Sequence, residues 1–480
     1  METIANYING EFVPSNSGSY LDVFEPATGQ VYAQVPDSKK DDVESAVQAG
    51  SDAFESWSKT SPVDRSQIMH RIADGLENRL AEFAKYESRD TGKPVSLATH
   101  VDIPRAVSNF RFFANHLLTF DSETVLDGNG STNRIVRYPL GVVGCISPWN
   151  LPLYLFTWKI APALATGNCV IGKPSELTPF TAFKMGEICQ EAGLPDGVLN
   201  IVHGSGQNTG SALTTHPDIK AISFTGGTKT GEIISQSAAP QFKKLSLELG
   251  GKNPNIIFAD CEFNEMLETT LKSSFSNQGE ICLCGSRILV EDSLFERFRD
   301  AFVEKTNLLK VGDPNDDNTD LGALISKVHL KKVLDYVALA EEEGGHVITG
   351  GKKVVVNDRC ENGYFMEPTI VDGLEIDCRT NQEEIFGPVV TLVPFSSEKE
   401  AVSIANATDF GLAATVWSSD LDKAHRVADR IDSGIVWINC WMVRDLRTPF
   451  GGMKNSGVGR EGGDEALRFF TEQKNICVSY

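Results

Sequence analysis

A chain of 480 residues, 41% of them hydrophobic and 23% charged, has length for roughly three domains and a large core, with no apolar run able to span a bilayer. Its net charge of −21 argues against nucleic acid or an anionic membrane surface as partner. Met1-Glu2-Thr3-Ile4-Ala5-Asn6 lacks the features of a secretory signal, and the ten cysteines, single apart from Cys282-Leu283-Cys284, show no zinc spacing, which predicts reduced thiols, a cytoplasmic protein and no metal.

From Tyr7 to Val35, short apolar runs alternate with turn clusters such as Asn9-Gly10, as in small antiparallel strands. Helical spacing follows over Asp41 to Trp57, then from Pro62 with Ile68, Ile72, Leu76 and Leu80 on one face, and over Ile103 to about Leu118, with Arg105 near its start. Asp121 to Thr132, containing Asp127-Gly128-Asn129-Gly130, reads as a projecting hairpin tip. Strands over Val142–Ile146, Cys169–Gly172, Val198–Val202, Ala221–Phe224 and Leu245–Leu249 then alternate with helices over Trp158–Ala165, Thr178–Ala192, Thr209–Thr215 and Thr230–Ser237. This alternation predicts an α/β fold with a doubly wound parallel sheet. A second α/β pattern begins at Gly250, with strands at Asn255–Phe258, Arg287–Val290, Val389–Val393 and Ala414–Trp417 and helices at Met266–Phe275, Ser293–Leu309 and Lys327–Glu343. The tail from Leu467 reads as a helix running into an edge strand that pairs with the hairpin near Gly128, on its own or a neighbouring subunit.

Cys282 ends a stretch running from a helix-like segment through Gly279, just before a strand. It is either an inert buried thiol or a nucleophile at the end of a parallel sheet. None of the eight histidines is an obvious thiol partner in sequence. In Lys244 to Lys252 the leucines alternate, so Glu248 shares a strand face with Ser246. A carboxyl at the end of an apolar strand has a raised pKa and suits a general base, unless it pairs with Lys252. Pro148 and Pro152 pin the backbone around Asn150, which makes its amide either a turn element or an oxyanion donor. Lys173-Pro174-Ser175-Glu176 follows a strand, where α/β folds contact an adenosine ribose. The run His203 to Gly210, including Gly206, misses the G-x-G-x-x-G spacing by one residue. Thr225-Gly226-Gly227 opens a helix whose N-terminus suits a pyrophosphate. Arg105 and Arg444 are either surface residues or a fork for a substrate carboxylate.

Together these segments resemble the aldehyde dehydrogenase superfamily, over nearly the whole chain from Asn9-Gly10 to Gly457. Asn277 to Cys282 matches its Asn-Xaa-Gly-Xaa-Xaa-Cys segment, Glu248 to Lys252 its Glu-Leu-Gly-Gly-Lys segment, and Pro148-Trp149-Asn150 its Pro-Trp-Asn motif. Phe224 to Gly227 is similar to Phe-Thr-Gly-Ser, with Gly227 in place of Ser, and Glu383 to Pro388 matches a further segment. The resemblance implies that Cys282 is the nucleophile, Glu248 the base, and the Asn150 amide with the Cys282 N–H the oxyanion hole. It implies a Rossmann-like domain (1–118 and 137–249) that binds NAD through Ile146, Trp149, Lys173, Glu176, Gly206, Thr225, Gly226 and Gly227. Lys173 and Glu176 would hold the adenosine ribose, and the Glu176 carboxylate would disfavour the 2′-phosphate of NADP. Glu384 and Phe386 would hold the nicotinamide ribose. A catalytic domain (250–449) and an oligomerisation arm (119–136 with 466–480) would complete a homodimer or homotetramer. Glu248 favours hydrolysis over transfer to coenzyme A, since members that use coenzyme A lack it.

Asp102-Ile103-Pro104-Arg105, Asn109 to Ala114, Asn277 to Cys284 and Asn439-Cys440-Trp441 are similar to the branch acting on 2-aminomuconic and 2-hydroxymuconic semialdehydes. That likeness implies such a semialdehyde as the small-molecule substrate, its carboxylate bound by Arg105 and Arg444. The competing readings are a broad or betaine-type aldehyde dehydrogenase and a catalytically silent NAD-binding structural protein.

Overall fold

The computed structural model describes residues 2–120, 123–126 and 130–479. Its central sheet runs, edge to edge, through Gly457–Val458, Lys244–Glu248, Ile219–Thr225, Val142–Ile146, Cys169–Lys173, Leu199–Ile201, Asn6–Ile8 and Glu11–Val13. The five middle strands are parallel, and the short outer ones pair antiparallel. Their apolar runs are buried on both faces, as a sheet covered by helices requires. Val143, Cys145, Val170 and Leu199 pack under the helices Pro62–Asn78, Ile103–His116 and Pro152–Ala165. Val142, Ile146, Ile222 and Leu247 meet the helices Lys40–Trp57 and Thr228–Ala238 on the other face. Every residue of Pro152–Ala165 is buried, which its all-round apolar sequence allows.

Chain order moves outward from Val142–Ile146 to Leu199–Ile201, then returns to the other side with Ile219–Thr225. The switch point therefore lies between Val142–Ile146 and Ile219–Thr225, and α/β folds bind ligands outside the carboxyl ends of such strands.

A second sheet orders His346–Thr349, Thr369–Asp372, Val389–Phe395, Arg287–Glu291, Pro254–Ile257, Ala413–Trp417 and Ile435–Ile438. All its pairings are parallel except that of His346–Thr349. A third has three antiparallel strands, Thr471–Ser479, Ser131–Pro139 and Glu123–Leu126.

Several expectations are corrected. The helix opened by Pro62 stops at Asn78, and Leu80 begins a separate helix, Leu80–Thr91, because Arg79 leaves helical geometry at φ −107°, ψ 20°. The helix expected from Trp158 starts at Pro152, whose ring suits a first helical position. The tail strand pairs within its own chain along the full length of Ser131–Pro139, Ser479 opposite Ser131. Gly128 lies outside the described residues. The small antiparallel strands expected over Tyr7 to Val35 divide between two sheets: Asn6–Ile8 and Glu11–Val13 extend the central sheet, whereas Tyr20–Glu25 and Gln30–Pro36 form a small sheet with Glu2–Thr3. Cys282, expected at the end of a parallel sheet, precedes Arg287–Glu291 and so stands at the amino end of the second sheet.

Candidate active site

The two sheets face each other end to end: carboxyl ends of the first face amino ends of the second, joined by the connection 249–253. Between them opens a cleft of about 270 Å³. From the first sheet come Thr225, the last residue of its strand, and Trp149, Asn150, Gly226 and Gly227, just beyond strand ends. The second contributes Cys282, Glu384 and Phe386, all just before strands, and His329 and Lys332 line the same cleft from the helix Lys327–Glu342.

The loop carrying Cys282 has three successive left-handed residues, Asn277 (φ 53°), Gln278 (φ 55°) and Gly279 (φ 71°). Only a well-braced loop keeps such a conformation, and Asn and Gly adopt it at least cost. The Asn277 amide donates to the Asn150 and Glu280 carbonyls at 3.3 and 3.2 Å, and that of Gln278 to the Ala323 carbonyl at 3.2 Å. At Gly279 a Cβ would lie 2.2 Å from the Gly387 carbonyl oxygen, so glycine is required. Downstream, the Asn253 amide holds the Cys282 and Cys284 carbonyls at 2.7 and 2.9 Å.

Asn150 Nδ2 donates one N–H to the Glu280 carbonyl at 2.9 Å, leaving the other for the cleft it lines. Its own carbonyl accepts from Lys93 Nζ at 3.0 Å. Glu248, the last residue of Lys244–Glu248, is buried, and neither carboxyl oxygen has a partner among the described residues. The alternative pairing with Lys252 is not made, since Lys252 Nζ is also unpartnered. Burial first, and then the neighbouring Glu461, push the Glu248 carboxyl well above the usual carboxylate range, against the pull of Lys159. Glu461 is itself held by Lys159 at 2.7 Å and Ser223 at 3.0 Å. Burial, then Glu384 and Glu248, push the Cys282 thiol up, while Arg444 pulls it down. Burial thus disfavours the charged form of both the thiol and the carboxyl.

Lys173 Nζ reaches Glu176 at 3.3 Å, just past the strand Cys169–Lys173, and a Cβ on Gly210 would lie 3.9 Å from the Lys173 side chain. That brings the Gly206–Gly210 turn, whose start Ser205 caps at Asn208, beside Lys173. Ile146 is buried in register with Lys173, outside the cleft lining. Among the described residues no side chain caps the helix Thr228–Ala238 at Gly227, and the buried Thr225 hydroxyl has no partner. An uncapped helix end at a switch point fits the pyrophosphate of NAD, with or without a side chain at Gly227. Glu384 accepts from the Gly251 N–H at 2.8 Å, and Phe386 (φ 62°) is fixed by His329 Nε2, which donates to its carbonyl at 2.6 Å.

Arg105 and Arg444 converge on Tyr154. Arg444 Nη1 donates to its hydroxyl at 2.8 Å, and the Arg105 guanidinium lies 5.6 Å from its ring centre. Both line an outer cavity of about 580 Å³, and among the described residues neither has a carboxylate within 4.0 Å.

Tyr154, Lys93, Asn253 and His329 were missed by sequence reasoning. Tyr154 and His329 sit at ordinary helical core spacing, and Lys93 reads as a turn lysine beside Pro94. Their roles arise from contacts across the chain.

The human 2-aminomuconic semialdehyde dehydrogenase is 52% identical to this chain, covering 99% of it and 98% of that protein. A 2-hydroxymuconic semialdehyde dehydrogenase of Pseudomonas sp. strain CF600 is 47% identical, with all of both chains covered. A solved betaine aldehyde dehydrogenase of Staphylococcus aureus in complex with NAD+ is 38% identical at a TM-score of 0.96, covering 99% of this chain and 94% of that one. Residues 12–476 match the aldehyde dehydrogenase family, and the chain belongs to it.

Proposed function

We propose that this chain is an NAD-dependent dehydrogenase that oxidises a carboxylated, unsaturated semialdehyde of the 2-aminomuconic or 2-hydroxymuconic type to the acid. The observation that carries the substrate class is the pair of guanidiniums, Arg105 and Arg444, which line one outer cavity, converge on Tyr154 and have no carboxylate partner among the described residues. In a chain of net charge −21, such a pair favours an anionic ligand group. The names of the full-length human and Pseudomonas relatives support the same class.

In this reading the substrate carboxylate bridges Arg105 and Arg444, which aims the aldehyde at Cys282. Cys282 loses its thiol proton to solvent water, and the thiolate adds to the aldehyde carbon, whose C=O electron pair moves onto the oxygen. The free N–H of Asn150 and the Cys282 backbone N–H stabilise the resulting oxyanion. NAD, when bound, supplies the hydride acceptor. Glu248 then takes a proton from the water that attacks the thioester on Cys282. An unpaired buried carboxyl with a raised pKa suits that step.

The two sheets support a division of the chain into an NAD domain (1–118 and 137–249), a catalytic domain (250–449) and an arm (119–136 with 466–480). The exposed outer strand Thr471–Ser479 supports that arm as the contact of a homodimer or homotetramer. Ten free thiols favour a reducing, cytoplasmic setting. The deciding assay compares 2-hydroxymuconic semialdehyde, hexanal and betaine aldehyde. Arg105→Ala and Arg444→Ala should each lower kcat/KM about 10- to 100-fold for the first and leave hexanal within about threefold. Equal losses on all three aldehydes, or none, would overturn the assignment.

A further inference from the structure

The buried ammonium of Lys93 has a place in neither the fold's apolar packing nor the steps above. Its side chain is wholly inaccessible, as is that of its partner Asp102, 2.8 Å away. Burying an ion pair is costly and weak evidence for stability, so its remaining contacts indicate what it does. Lys93 Nζ makes a second hydrogen bond, at 3.0 Å, to the Asn150 carbonyl. With Asn277 on the same oxygen and Glu280 on the side-chain amide, Asn150 is clamped at both ends.

Asp102 ties this clamp to a distant point. It closes a one-turn π-helix, Ala98–Asp102, which runs directly into Ile103–His116, and Arg105 lies in the first turn of that helix. A π-turn shifts the side chains that follow it and recurs at functional sites. Here it brings the Asp102 carboxylate inward onto Lys93 while Arg105 faces the outer cavity. One buried pair thus joins the segment holding the oxyanion donor to the segment holding a carboxylate anchor.

We propose that Lys93 and Asp102 are positioning residues that fix the Asn150 amide relative to Arg105, so that orientation of the oxyanion donor and grip on the substrate carboxylate are set by one rigid unit. The Arg105 half rests on the substrate reading above, whereas the Asn150 half is independent of it.

The test is a double-mutant cycle on the first-turnover burst of NADH, with hexanal as substrate and NAD affinity measured alongside by fluorescence. Lys93→Met should slow the burst about tenfold in the otherwise native enzyme, with NAD Kd within about twofold. In an Asn150→Ala background the same change should slow it by less than about twofold, because Lys93 acts through Asn150. A loss solely of packing would give the same factor in both backgrounds, and that result would overturn the proposal. Should Lys93→Met fail to fold with Asp102 left unpaired, Lys93→Met/Asp102→Asn removes both charges and carries the same cycle. For the second half, Asp102→Asn should lower the preference for 2-hydroxymuconic semialdehyde over hexanal, and should add nothing to Arg105→Ala. If Arg105→Ala itself leaves that preference intact, the substrate reading fails while the hexanal cycle still decides the role of Lys93.

Discussion

The side-chain amide of Asn150 and the backbone carbonyl of Glu280 are 2.9 Å apart, a hydrogen bond spanning 130 residues of sequence. It locks the loop after one sheet to the nucleophile loop before the other, and so fixes the oxyanion donor and the sulfur in one frame. Asn150→Ala removes both the donor and the lock. kcat should fall about 10²- to 10³-fold, the usual loss for one oxyanion-hole donor, with NAD Kd little changed. Stopped-flow NADH formation with and without the substitution is the measurement, and a fall below about threefold would refute the role.

Glu248 differs from Asn150 in the step it serves. Glu248→Gln keeps size and polarity but cannot take a proton from water. The first equivalent of NADH should form in a burst, after which steady turnover should be slower by about 10²-fold or more. A thioester on Cys282 should accumulate and be visible by mass spectrometry of the quenched enzyme. Disappearance of the burst would instead place Glu248 in the first step.

The upward shifts of Glu248 and Cys282 give a sign for the pH profile. Burial and Glu461 hold the Glu248 carboxyl well above its usual range, so its base form is scarce at low pH and gained only as pH rises through the raised value. Thioester hydrolysis should therefore accelerate with pH through and beyond the ordinary carboxylate region, and this limb should be missing in Glu248→Gln. The Cys282 thiol is likewise pushed up by burial, so alkylation by iodoacetamide should keep rising above the pH at which an exposed thiol levels off. Single-turnover hydrolysis and alkylation rates across pH separate the two groups.

Strand alternation, helix punctuation and the glycine-rich turns made the central sheet legible because each is a local signal. The nucleophile loop was legible through its likeness to the family's Asn-Xaa-Gly-Xaa-Xaa-Cys segment, and its left-handed Asn277 and Gly279 are residue types that such a backbone selects. Arg79 was not, because an ordinary residue breaks the helix there, and the pattern Ile68 to Leu80 runs on across it. Nor was the end-to-end facing of the sheets, which brings Cys282 to the carboxyl ends of the first: that depends on how the chain turns after Glu248. A Cβ on Gly250 would come 2.5 Å from a Glu384 carboxylate oxygen, and sequence carries no mark of that approach. Lys93 and Asp102 were hidden most deeply, as two charged residues nine apart read as solvated until the fold encloses them.

Cofactor choice provides the last prediction. Glu176 stands one turn past the strand Cys169–Lys173, with its carboxylate 3.3 Å from Lys173 Nζ and its side chain one-third exposed. A carboxylate in that place accepts ribose hydroxyls and opposes a 2′-phosphate, while Lys173 offers a positive charge that Glu176 now occupies. Glu176→Gln should weaken NAD binding several-fold and release Lys173 for the phosphate. The ratio of kcat/KM for NAD to that for NADP should then fall about tenfold or more, an electrostatic change of about 1.4 kcal/mol. Because the shift comes from charge, it should shrink as salt rises from 0.05 to about 0.5 M, where screening shortens its range. A ratio unmoved by the substitution at low salt would place the ribose elsewhere, against the Gly206–Gly210 turn on the far side of Lys173.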